Sequence, residues 1–171
     1  LCSEFAIIGA IHATLALKLL DRPADALARI RAAADRAPHN PFVLWHFGRL
    51  LASAGYALQG AAILIRTLGC NIPEIVTYSM RDLVGIFREY DLTADTFVSA
   101  TAHACALLAA GSRMAALRKL DEAAPHAKYP AHDDALQFLR SYAFRTTTAR
   151  RTQDDAPIAP VLYLHRASPR T

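Results

Sequence analysis

Several things are scarce in this 171-residue chain, and each absence excludes a class of function. There are 7 glycines, and none builds a GxGxxG or GxxxxGK[ST] loop, so nothing in the sequence cradles nucleotide phosphates. No HExxH pair and no nucleophile elbow is present either. The three cysteines, Cys2, Cys70 and Cys105, are odd in number and lack CxxC spacing. That argues against a secreted disulfide framework and for a reducing compartment. No apolar run approaches the ~20 residues of a membrane span. The best candidate, Phe5–Leu17, is interrupted by His12, flanked by Glu4 and Lys18, and lacks both the basic leader and the cleavage site of a secretory signal. It reads as a buried helix. Before residue 158 no alternating β-branched run is sustained, so strands are not expected.

What is abundant is alanine and leucine, the strongest helix formers, with glycine and proline at apparent boundaries. The pattern predicts eight helices, over about 4–20, 23–36, 42–54, 57–69, 74–89, 94–110, 113–124 and 132–148. Ser3 is the expected N-cap of the first, and Pro23 sits at the first turn of the second, capped by Asp21 or Arg22. Gly55 is a natural residue just past the third helix, Gly69 or Asn71 closes the fourth, and Gly111 closes the sixth. Asp91-Leu92-Thr93 is read as the turn that caps the sixth helix, and Ser112 as the cap of the seventh. Helices of this length on short loops pack as antiparallel hairpins, so the class is all-α.

Two stretches match at an offset of 34 residues: Leu17, Ala26, Ile30 and Ala33 recur as Leu51, Gly60, Leu64 and Thr67. The first unit closes on Pro38 and the second on Pro73, one residue late. A third match lies 56 residues on, where Leu107, Gly111, Ala116, Leu120 and Ala123 echo Leu51, Gly55, Gly60, Leu64 and Thr67. About one helix is therefore inserted between them, and the helix at 74–89 falls out of register. A 34-residue period with small residues where helices approach closely is that of a helix–turn–helix solenoid. Units 7–40 and 41–74 resemble the tetratricopeptide repeat, and 75–148 is a divergent continuation. The resemblance implies an α-α superhelix, a right-handed solenoid of about eight antiparallel helices over 1–151, with an irregular, proline-containing tail at 152–171. It also implies a concave groove lined by the first helix of each unit. In unit one this gives Ile8, Ile11, His12, Leu15, Lys18 and Leu19; in unit two Phe42, Trp45, His46, Arg49, Ala52 and Ser53. Ile11, Leu15 and His46 stand where one variant of the family grips a C-terminal carboxylate with Lys and Asn, so that clamp is absent. The partner-contacting residues expected from this groove are Lys18, Phe42, Trp45, His46 and Arg49. Trp45 has a second reading as a core residue displaced by one position.

Charge is concentrated at one end. Residues 140–171 carry six arginines and two acids, which accounts for the whole net charge of +4, and the preceding residues are neutral. Arg140, Arg145, Arg150 and Arg151 are the expected basic contacts of this end, against protein or RNA. Val161–Leu164 has the character of a strand added to a partner's sheet edge, or of a segment folded back on the last helix. Arg166-Ala167-Ser168-Pro169 has the form of a phosphorylation site. Catalysis has little support. His103 and Cys105 sit two apart, so on a helix they point in different directions. His126, His132, Asp133 and Asp134 match no metal-ligand spacing and read as loop residues.

The expectation is a non-enzymatic interaction scaffold, or a structural subunit of a larger assembly. It takes no cofactor or metal and holds a peptide, a helix or a neighbouring subunit in an apolar groove. The alternatives are a helical-repeat subunit associated with RNA or ribonucleoprotein, including an organellar one, and the recognition module of a longer enzyme. A start at Leu1 without methionine fits a trimmed chain, or one from which a transit peptide has been removed. The expected location is intracellular, in the cytoplasm or an organelle such as the mitochondrion.

Overall fold

The computed structural model describes residues 4–149, and every regular element among them is helical. Eight α-helices follow in order: α1 Glu4–Leu19, α2 Pro23–Arg36, α3 Pro41–Ser53, α4 Ala57–Ile65, α5 Pro73–Glu89, α6 Thr96–Ala109, α7 Arg113–Ala123 and α8 Pro130–Ala149. A single 3₁₀ turn, Ala124–His126, lies between the last two. Each α-helix packs on its neighbour in the chain. Alternate helices also meet, α1 with α3, α3 with α5, α4 with α6 and α6 with α8.

The repeat read from the sequence has a backbone counterpart. The hairpins α1/α2, α3/α4 and α6/α7 turn on Asp21, Gly55 and Gly111, each with positive φ, at 55°, 90° and 77°. In each, the next amide closes on the carbonyl five residues back: Arg22 on Leu17, Tyr56 on Leu51 and Ser112 on Leu107, at 2.8–2.9 Å. This is the Schellman closure of a helix C-terminus. The 34- and 56-residue offsets therefore mark three equivalent turns, with α5 inserted between the second and third. Asp21 holds the left-handed conformation without being glycine, a position that short polar side chains tolerate.

Small residues set how closely the paired helices approach. A Cβ at Gly60 would lie 2.6 Å from Gly48 O and 2.9 Å from Ala52 N; one at Gly48 would meet Leu64 Cγ at 2.8 Å. Positions equivalent to Gly48 are Thr14 and Ala104, and those equivalent to Gly60 are Ala26 and Ala116, all buried. Ile30, Leu64 and Leu120, the large residues one turn on, are fully buried in all three hairpins. Their side chains belong to two clusters. A small one joins α1, α2 and α3 around Ile30, Val43 and Leu50. A larger one runs from α3 to α8 around Leu64, Leu83, Leu120 and Leu139.

The structure corrects several boundaries. Helix α4 ends at Ile65 rather than near 69, because the amides of Thr67 and Leu68 switch to the carbonyls three residues back and the Thr67 hydroxyl bonds Leu64 O at 2.7 Å. The same hydroxyl lies 2.6 Å from Ser79 Oγ, a buried polar link to α5. The cap of α6 is Asp95, which accepts from Val98 N; Asp91 instead closes a local turn with Thr93 N. Arg22 and Ser112 occupy N-cap positions without making side-chain cap bonds. Pro130, expected in a loop, is the first residue of α8. The N-cap expected at Ser3 and the tail at 152–171 lie outside the described residues.

Gly60→Ala should lower stability by about 1–3 kcal/mol, because the added methyl meets backbone rather than a side chain that can swing aside. Gly85→Ala, whose Cβ meets nothing within 4 Å in mid-helix, should raise it by roughly 0.5–1 kcal/mol. Urea midpoints of the two variants check both signs.

Candidate partner-binding site

Helix α3 is positioned by its start. Asn40 accepts from the amides of Phe42 and Val43, both at 3.1 Å, and Pro41 follows at the first helical position. That start places Phe42, Trp45, His46 and Arg49 at i, i+3, i+4 and i+7, on one face, while Val43 and Leu50 enter the core. On α5 the same spacing brings Tyr78, Arg81 and Asp82 together. Because α3 and α5 are in contact, the two faces form one surface.

Asp82 organises it. Its Oδ2 accepts from Trp45 Nε1 at 2.8 Å and lies 3.2 Å from Arg49 Nε; its Oδ1 lies 3.6 Å from Arg81 Nε. The carboxylate is only 17 % exposed, so these charge-assisted contacts are screened less than surface pairs. Trp45 and Tyr78 stack at 5.1 Å between ring centroids. The Arg49 guanidinium lies 5.0 Å from the Trp45 centroid and that of Arg81 lies 5.3 Å from Tyr78. The cluster is thus two aromatic rings held between two cations and pinned by one carboxylate.

Trp45 is half-buried and packed against the larger core, and its ring also stacks on Tyr78 beside Arg49. Tyr78, Arg81 and Asp82 were missed in the sequence, because α5 is out of the repeat register and no unit assigned it a groove face. The available signal was the Tyr78–Arg81–Asp82 spacing.

Beside the cluster, between α1 and α3, lies a cleft of about 420 Å³ lined by Ile7, Ile8, Ile11, His12, Phe42 and His46, with Asn40 at its edge. His46 belongs to both cleft and cluster, its ring 4.6 Å from Trp45. Burial, and secondarily the charge of Arg49, push its pKa below the usual 6.5. No family model, curated protein or solved structure matches the chain. What the groove does therefore has to be argued from its own chemistry.

Lys18 is exposed in the last turn of α1 and does not line the cleft. Arg140 is tied to Asp121 at 2.8 Å, and Arg145 lines a separate cleft with Tyr142 and Phe138. Arg150 and Arg151 lie outside the described residues. Among the described candidate residues, Phe42, Trp45, His46 and Arg49 come together, and Arg140 and Arg145 do not join them.

Three other reactive side chains, Cys105, His103 and His132, are buried or packed on aromatic rings. Cys105 is fully buried, and burial pushes its thiol up to about 12, so it is protonated and not nucleophilic near neutral pH. His103 stacks on Phe87 at 4.9 Å. His132 lies flat on Phe97, with ring centroids 4.0 Å apart, and its Nδ1 accepts from Lys128 N. Burial lowers its pKa, against the opposing pull of Asp95 and Asp133. Among the described residues no group of three His, Cys, Asp or Glu is placed to hold a metal ion.

His46 and His132 both resist protonation in the fold, so the unfolded chain binds more protons once the pH falls below about 6.5. Their contribution to stability is complete above that pH and is lost as the pH drops through the lowered folded values. The urea midpoint, followed by fluorescence of the sole tryptophan, should fall between pH 7.5 and 5. A double His46→Gln, His132→Gln variant should show a flatter profile.

Proposed function

We propose that this protein is a non-enzymatic helical-repeat scaffold of tetratricopeptide type. It holds a partner's peptide or helix in the groove formed by α1, α3 and α5. The observation that carries the reading is the continuity of the apolar cleft at Ile7, Ile8, Ile11 and Phe42 with the Trp45–Tyr78 stack. The surface is preformed: the tryptophan is hydrogen-bonded, the arginines are held by Asp82 and α3 is capped, so little ordering is needed on binding. Three equivalent hairpin closures and the close approach at Gly48 and Gly60 support the repeat assignment.

The chemistry of the groove also describes its ligand. The cleft takes one or two aliphatic or aromatic side chains. Arg49 and Arg81 outnumber Asp82 by one charge, and their side chains remain partly exposed at 41 % and 65 %. A ligand with an acidic residue beside its apolar anchor meets both features. Tryptophan and arginine are also the residue types that dominate binding energetics.

Selection of a displayed peptide library against the chain should enrich bulky apolar residues next to an acid. Phe42→Glu should weaken the selected peptides by at least about 30-fold, while Met114→Glu, exposed on α7, should not. Affinity should change little between 50 and 200 mM salt, whereas a phosphate-driven RNA complex would lose most of its strength. Failure to enrich any sequence, or enrichment indifferent to Phe42, would refute the groove.

A further inference from the structure

Helix α1 is apolar on two sides, and only one of them packs into the core. Thr14 is buried, and Ile7, Ala10, Ile11 and Leu17 pack against α2 and α3. On the opposite side Phe5 is 85 % exposed, Ile8 52 %, Leu15 42 % and Leu19 88 %. With His12 these occupy positions 5, 8, 12, 15 and 19, a spacing of three and four that gives a straight stripe over the whole helix. That is the heptad seam of paired helices, not the scattered exposure of an ordinary surface.

We infer that this stripe is covered by the same stripe of a second copy of the chain, in an antiparallel α1–α1 pair. Three observations select that occupant. The stripe is self-complementary about its middle: with His12 near the two-fold axis, Phe5 of one copy falls near Leu19 of the other, and Ile8 near Leu15, the condition for a closed isologous contact. Reversing the second helix also sets the C-terminal end of each α1 beside the N-terminal end of the other. The reversed helix dipoles add in the same sense. The area is sufficient as well. The four apolar side chains expose on the order of 500 Å² per copy, and two copies reach about 1,000 Å², the lower bound for a specific interface. His12 in the seam fixes register at some cost in strength.

Ile8 and His12 also line the cleft, so the pair and a groove ligand share part of α1; Leu15 and Leu19 do not, so substitutions there test the pair alone. Sedimentation velocity on the chain from 1 to 200 μM should show a shift from 18.6 kDa towards twice that mass. Leu15→Glu with Leu19→Glu should weaken the association by at least about 100-fold, because carboxylates are then buried in an apolar seam without partners. Helical circular dichroism should be unchanged, since both side chains are exposed in the single chain. Leu15→Met with Leu19→Met should keep the dimer, as should Met114→Glu on α7. A mass of 18.6 kDa at every concentration would overturn the proposal and assign the stripe to a different protein. A dimer that survives the two glutamates would overturn it by placing the contact elsewhere. Peptide selection at the groove with the double-glutamate variant reads the groove independently of this result.

Discussion

Two backbones approach closely between α3 and α4, where Gly48 and Gly60 face each other with no room for a Cβ. Everything that positions the groove depends on that crossing. It lets α4 lie against the inner side of α3, drives Leu51 and Leu64 into the core, and leaves Phe42, Trp45, His46 and Arg49 on the opposite side. Alanine or threonine takes the same places in the first and third hairpins, where the gap is wide enough for one small side chain. Dense packing transmits such a constraint, because helices that cannot slide apart hold their outer faces in fixed relation.

A second constraint acts across units. Helix α5 interrupts the repeat, yet it supplies the carboxylate that pins the groove. Asp82 gathers Trp45, Arg49 and Arg81, and without it the two arginines would repel each other and the buried part of the indole would lose its partner. The Thr67–Ser79 contact makes a comparable polar link from the turn after α4 to α5 inside the core. The inserted helix is therefore bound to both helices of the second hairpin. The exposed ion pairs, Arg22 with Asp25, Lys119 with Glu122 and Arg140 with Asp121, contribute little, of the order of 0–1 kcal/mol each.

Much of the fold was legible because its signals are local. Proline at the starts of α2 and α5 and glycine after α3 and α6 punctuate the helices, and the 34- and 56-residue offsets located three turns later found to share one backbone closure. Less legible were features settled by tertiary contacts. The early end of α4 depends on a threonine hydroxyl competing for backbone carbonyls. The cap of α6 was assigned to the turn at 91–93 rather than to Asp95, because Asp91 and Asp95 are both competent and only Asp95 accepts from a helix amide. For the groove, family spacing supplied the α3 residues, while Tyr78, Arg81 and Asp82 needed the packing of α3 on α5. Lys18, assigned by the same repeat spacing, is exposed in the last turn of α1 and is not among the residues that line the cleft.

The account rests on the claim that α1, α3 and α5 form one binding surface. Hydrogen–deuterium exchange of the chain with and without a groove-selected peptide tests it most directly. Slower exchange should appear together in the segments around Ile8–His12, Phe42–Arg49 and Tyr78–Asp82, with α7 unchanged, because those faces are contiguous through the cleft and the Asp82 cluster. Protection confined to α8, or spread evenly over all helices, would contradict it.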